Sequence, residues 1–207
     1  MQVILKGNFS MAINPKIMNA ILSMDSYNRG YDAGIDLRLR DLNNNYIVDS
    51  DTLYEVAGVQ NYAKIGSYNV IDRNGNANAI AQGFYGIAYK DNSSTIISYR
   101  GTDNPFGSGL PGNDIINGWV TGGGTLTSQV GLALEFYREV LKNINGGAEV
   151  DPRAPTTDIS FTGHSLGGGL AGLVASVYLK NATMFDNMAF EQATENIYDY
   201  ATVGGLY

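Results

Sequence analysis

Cysteine is absent from all 207 residues. That removes disulfides, thiolate metal sites and a cysteine nucleophile together, although it assigns no compartment, since exported bacterial proteins often lack cysteine too. Histidine is almost absent: His164 is the only one, so a mechanism needing an imidazole base uses that residue or one from outside this chain. Basic charge is also in short supply. Against 20 Asp and Glu stand 13 Lys and Arg, for a net charge of −7, which excludes a chain whose main task is neutralising nucleic-acid phosphates and serves anionic membrane surfaces poorly. No apolar run approaches the roughly 18 residues of a transmembrane helix. Residues 1–10 hold a short apolar run before Lys6, without the long apolar core and cleavage site of a signal peptide. There is no internal period and no Pro- and Ser-rich linker.

What is present is a chain able to fold. Apolar residues make up 44% of it, with 7 Phe, 14 Tyr and 1 Trp, and the length suits one domain spanning 1–207. Asn14-Pro15 reads as a cap followed by proline at the first helical position, and Ile17, Met18, Ile21 and Leu22 recur at helical spacing, so a helix is expected over 15–25. Residues 27–78 are rich in Asn, Asp and Gly, with short strands expected at 46–48 and 68–71. Residues 83–89 and 95–99 flank the polar turn Asp91-Asn92-Ser93-Ser94 and read as a hairpin. Behind a Ser128 cap, Val130, Ala133, Leu134, Tyr137, Val140 and Leu141 share one helical face up to Asn145-Gly146-Gly147. A strand at 159–162, a helix at 166–179, a strand at 182–185 and helical spacing over 188–198 complete the pattern.

The chemistry concentrates between the strand at 159–162 and the helix at 166–179. Gly163-His164-Ser165-Leu166-Gly167 is a G-x-S-x-G pentapeptide between an expected strand and an expected helix. A serine forced into so sharp a turn projects its hydroxyl outward, and glycines two residues to either side let strand and helix approach. Ser165 is thereby a candidate nucleophile, and the N–H of Leu166, at a helix N-terminus, a candidate oxyanion donor. With 26 Gly in the chain, the pentapeptide alone would be weak; its setting gives it weight.

Gly-His-Ser-Leu-Gly-Gly after a strand, preceded by a hairpin ending Tyr-Arg-Gly-Thr-Asp, resembles the α/β-hydrolase fold. Within that fold it is similar to class 3 lipases and their bacterial lipase and phospholipase relatives, from about Gly83 to Phe190. The resemblance implies a mostly parallel central sheet flanked by helices, and a lipase-like carboxylic ester hydrolase working through an acyl-enzyme on Ser165. It places Thr102 as the second oxyanion donor beside Leu166, with no metal and no organic cofactor. Arg100 is expected to be structural, pairing with a carboxylate beneath the site. A lid is implied over 103–124, where Phe106, Leu110, Ile116 and Trp119 would meet a lipid surface.

One departure stands out. This fold uses the chain order Ser, acid, His, yet no histidine follows Ser165. His164 adjoins the serine and points elsewhere at a sharp elbow, so it is expected to be structural; Asp186 and Asp199 are weak candidates for the acid. At most one strand follows the elbow, which leaves the sheet incomplete. The expectation is that a second polypeptide supplies the remaining strands, the acid and the base. The competing reading is a non-catalytic lipid-binding or regulatory subunit that has lost its triad. Acidic charge and lack of cysteine are compatible with an exported bacterial enzyme lacking an N-terminal signal peptide. The stretches beginning at Asp41 and Asp72 start like calcium loops but lack the required Gly and Glu, and read as turns. The Tyr27–Tyr31 stretch is read as ordinary half-buried tyrosine rather than a binding platform.

Overall fold

Asn14 starts the first helix as its residue type suggests. Its Oδ1 accepts from the N–H of Lys16 at 2.9 Å and its carbonyl from Met18 at 2.9 Å, and Pro15 sits where a missing N–H costs nothing. Helix α1 then runs Pro15–Asn28, longer at its C-terminal end than the apolar spacing suggested. This is a computed structural model that describes residues 14–28, 64–65, 68–74, 79, 82–101, 128–155 and 158–204. The strand expected at 46–48 lies outside them.

Among the described residues six strands form one sheet in chain order: β1 (Lys64–Ile65), β2 (Tyr68–Asn74), β3 (Gly86–Lys90), β4 (Thr95–Tyr99), β5 (Ile159–His164) and β6 (Asn181–Phe185). Connection length decides the pairing direction. The short connections from β1 to β2 and from β3 to β4 permit only antiparallel pairs, and β2 pairs β3 likewise. Helices α2 (Ser128–Ile144) and α3 (Leu166–Tyr178) lie in the crossovers that make β4, β5 and β6 parallel. The α/β class is as expected, but the described sheet is mixed where a mostly parallel one was implied: its antiparallel pairs are β1–β2, β2–β3 and β3–β4, and the parallel ones lie in the half that carries the elbow. A fourth helix, α4 (Glu191–Gly204), follows β6.

Alternation along the strands sorts side chains onto two faces. Ile87 and Tyr89 of β3 and Ile96 of β4 pack with Met18, Ile21 and Leu22 of α1. On the other face Ala88, Ile97, Tyr99, Ile159 and Phe161 pack with α2 and α3. Three layers result. Every residue of α3 except Ser176 is buried, which explains why its sequence is apolar all round. Tyr99 stacks on Phe161 with centroids 6.1 Å apart, Tyr137 meets Phe161 edge-on at 5.3 Å, and the Tyr99 hydroxyl donates to the Ala133 carbonyl at 2.8 Å. Burial pushes the Tyr99 phenol well above its ordinary range, so it remains a neutral donor.

Several local expectations are corrected. Asp72 to Asn74, read as a turn, belong to β2, where they pair with β3 beyond a bulge between Val70 and Asp72. The neighbouring strand supplied the bonds that a turn would have made locally. Strand β3 begins only at Gly86, because Gly83 turns at φ 70°. Strand β1 was not anticipated; two residues show no period. The Ser128 hydroxyl donates to Gln82 Oε1 at 2.7 Å, and its residue is the first of α2 instead of a cap before it. The α2 terminus is as expected, with Gly147 N–H returning to Lys142 O at 2.9 Å while Gly146 and Gly147 take φ of 68° and 89°.

Two outcomes follow. Phe161→Ala should lower unfolding stability by about 3–5 kcal/mol in a denaturant titration, since it empties the centre of the aromatic cluster. In the hairpin turn Asp91 Oδ1 accepts from the N–H groups of Ser93 and Ser94 at 2.8 and 2.7 Å, and the Ser93 bond above all holds its carboxyl below the ordinary 3.8. A depressed folded-state value contributes stability above the unfolded value and loses it as pH falls through the folded one. Asp91→Asn should therefore be less stable than the parent at about pH 6 and approach it at about pH 2, read as thermal midpoints.

Candidate active site

Strand β5 ends at His164 and helix α3 begins at Leu166, so Ser165 alone makes the junction. Its backbone lies at φ 56°, ψ −125°, the place glycine usually fills in a type II′ turn. For a side chain with a Cβ this conformation costs about 1–3 kcal/mol. Three backbone bonds hold it there. Ser165 N–H donates to Phe185 O at 3.0 Å, and its carbonyl accepts from Gly169 and Met188 at 3.1 Å each. The end of β6 and the loop after it thus clasp the elbow from outside.

The flanking glycines are required by close approach. A β-carbon on Gly163 would strike the Gly167 carbonyl, and one on Gly167 would strike the Tyr99 carbonyl at the end of β4. Strand, turn and helix are as near as backbones can come.

That closeness has an electrostatic result. The first-turn N–H groups of α3, Leu166 among them, have no carbonyl four residues back within the helix, and the first turn holds no acidic residue to offset the positive end of the helix dipole. Ser165 makes no side-chain cap, leaving its hydroxyl uncommitted to the helix. The residue is half-buried, whereas Leu166 is buried through its side chain. A nucleophile beside donors for negative charge is the chemistry this junction permits.

Three further elements meet at the elbow. Gly101, just past β4, is packed so tightly that a β-carbon there would strike the Tyr27 hydroxyl and come within 2.6 Å of His164 O and 3.3 Å of Ser165 Cβ. Arg100 is buried at 2% exposure, donates its N–H to Tyr85 O at 3.0 Å, and lays its guanidinium over the Tyr85 ring at 5.4 Å. The His164 ring is turned to the α1 layer, its Nδ1 3.1 Å from the Tyr27 hydroxyl. Among the residues expected at the site, the structure brings Ser165, Leu166 and the Arg100-Gly101 segment together. Thr102 and residues 103–124 lie outside the described residues. Asp186 is exposed at φ 45° after β6, whose Phe185 stands opposite His164 in the register.

Sequence reading missed Tyr27, Phe185 and Met188. The last two act through backbone atoms and leave no mark in residue type, while Tyr27 sits in a tyrosine-rich stretch that singles out no residue. It is 3% exposed, fully part of the core.

Compared with known proteins, residues 96–200, just over half of the chain, match the family model described as Lipase (class 3). No curated protein matches the chain. The matched span runs from β4 through α3 and β6 into α4, and so contains the whole junction just described.

Gly167→Ala should force β4 away from the elbow. The expected loss is about 1–3 kcal/mol or more in chemical unfolding, the range for added volume in packed cores, whereas Gly131→Ala, on open surface, should be neutral or stabilising.

Proposed function

The chain belongs to the class 3 lipase family, whose fold is the α/β-hydrolase fold and whose members are lipase-like ester hydrolases, and on that premise we propose that it hydrolyses carboxylic esters of lipids with Ser165 as nucleophile. The observation that carries this reading is the strained, triply tied backbone of Ser165 at the start of α3. Ser165 Oγ adds to the ester carbonyl as its proton passes to a base. The oxyanion is met by the N–H groups of Leu166 and Thr102, each donor of this kind contributing about 3–4 kcal/mol. Collapse expels the alcohol, which takes up the proton, and leaves an acyl-serine. Water attacks that ester by the same route, releases the acid and restores the hydroxyl.

His164 is poorly placed to be the base. Its ring is engaged with Tyr27 on the α1 side, and it is the sole histidine of the 207 residues. The base is therefore a histidine from outside these residues, together with its acid partner. A companion polypeptide is the source expected from the sequence, and native mass spectrometry followed by denaturing mass on the same sample tests it. A bound His-containing partner supports this source; a lone chain that hydrolyses esters overturns it.

Ser165→Ala should abolish fluorophosphonate labelling and lower kcat by at least about 1,000-fold while leaving the fold intact. Labelling at another residue, or unchanged turnover, overturns the assignment. Contact with a lipid surface through the apolar residues of 103–124 belongs to the same reading. Replacing Phe106 and Leu110 by Ser should then reduce turnover of emulsified esters more than that of soluble short-chain esters, and equal losses would count against it.

A further inference from the structure

Tyr27 joins α1 to the end of β5 and to the segment that leaves β4. Its hydroxyl lies 3.1 Å from His164 Nδ1 and 3.4 Å from the His164 carbonyl, and its ring meets the imidazole edge-on with centroids 6.1 Å apart. The same hydroxyl fills the space into which a β-carbon of Gly101 would project, in a gap whose other walls are His164 O and Ser165 Cβ. One buried oxygen thus touches the residue before the nucleophile and the segment that leaves β4. We propose that Tyr27 is a positioning residue for Ser165, which it serves by locking His164 and by holding Gly101 at its distance from the elbow. This rests on the reading of Ser165 as the nucleophile.

The physical argument is one of lever arms. Ser165 occupies a costly backbone conformation, and its bonds to Phe185, Gly169 and Met188 restrain it from the β6 and α3 sides only. On the α1 side the restraint comes through His164, its immediate neighbour. Loss of the Tyr27 hydroxyl would leave the imidazole and its carbonyl to shift in the gap beside Gly101. A small displacement of a nucleophile reduces turnover without affecting how substrate is bound. The alternative is that Tyr27 only anchors α1. Tyr89 supplies the comparison, because its side chain is also buried and its hydroxyl donates to Asp25 Oδ2 of the same helix at 2.7 Å.

The test compares Tyr27→Phe and Tyr89→Phe in the intact protein, reading fluorophosphonate labelling of Ser165 as a maximal rate and a half-saturating concentration. Because His164 is the sole histidine of these 207 residues, nitrogen NMR of this chain, His-labelled and assembled with an unlabelled companion, reports its ring without ambiguity. Tyr27→Phe should lower the maximal labelling rate about tenfold, leave the half-saturating concentration unchanged and move the Nδ1 resonance. Tyr89→Phe should lower the thermal midpoint while labelling at the parent rate. Parent-like labelling in Tyr27→Phe, or equal losses in both variants, overturns the proposal. Absence of labelling in the unsubstituted protein strikes the nucleophile assignment instead; the Nδ1 resonance of the same samples still decides whether Tyr27 holds the ring, an unmoved resonance overturning the proposal.

Discussion

The backbone of Ser165 sits in a conformation that its own residue type disfavours, and much of the surrounding structure can be understood as what keeps it there. A cost of about 1–3 kcal/mol is a sizeable share of the net stability of a small domain. It persists because the bonds at its N–H and carbonyl come from two separate pieces of chain, the end of β6 with its following loop and the first turn of α3. Neither partner can satisfy the serine in another conformation without giving up its own place in the sheet or helix.

The glycines close the arrangement from the inside. With Gly163 against Gly167 and Gly167 against Tyr99, α3 sits so close to β4 and β5 that its first-turn N–H groups open at the end of the parallel strands. Burial of nearly all of α3 supports this placement, since a helix apolar on every side has nowhere else to go. The aromatic cluster of Tyr99, Phe161 and Tyr137 braces the strands from below. Packing, more than local preference, therefore holds the serine upright.

On the opposite face the contacts are of a different kind. Helix α1 meets the sheet through Met18, Ile21 and Leu22 but also through polar groups, with Thr162 Oγ1 donating to Asn19 O and Asn19 Nδ2 to Thr183 Oγ1. Directional bonds of this sort add little net energy each, about 1 kcal/mol, yet they define register where apolar surfaces would allow sliding. The His164 and Tyr27 contact lies in this layer, and so ties the helix furthest in sequence from the elbow to the residue beside its serine.

Local pattern in the sequence accounts for the hairpin, the four helices and the junction at Ser165, because each has a local cause. Period, cap and turn residues act over a few positions, and a G-x-S-x-G between strand and helix carries its own steric requirement. The remaining features come from contacts across the fold. Strand β1 and the continuation of β2 through Asp72 exist because a neighbouring strand offers a ladder, and nothing within those residues announces it. Phe185 and Met188 serve the elbow through backbone atoms, which every residue possesses. Tyr27 looked like any half-buried tyrosine until the fold brought it across 137 positions to His164. Contacts between residues far apart in sequence leave no local period, and those contacts hold this site together.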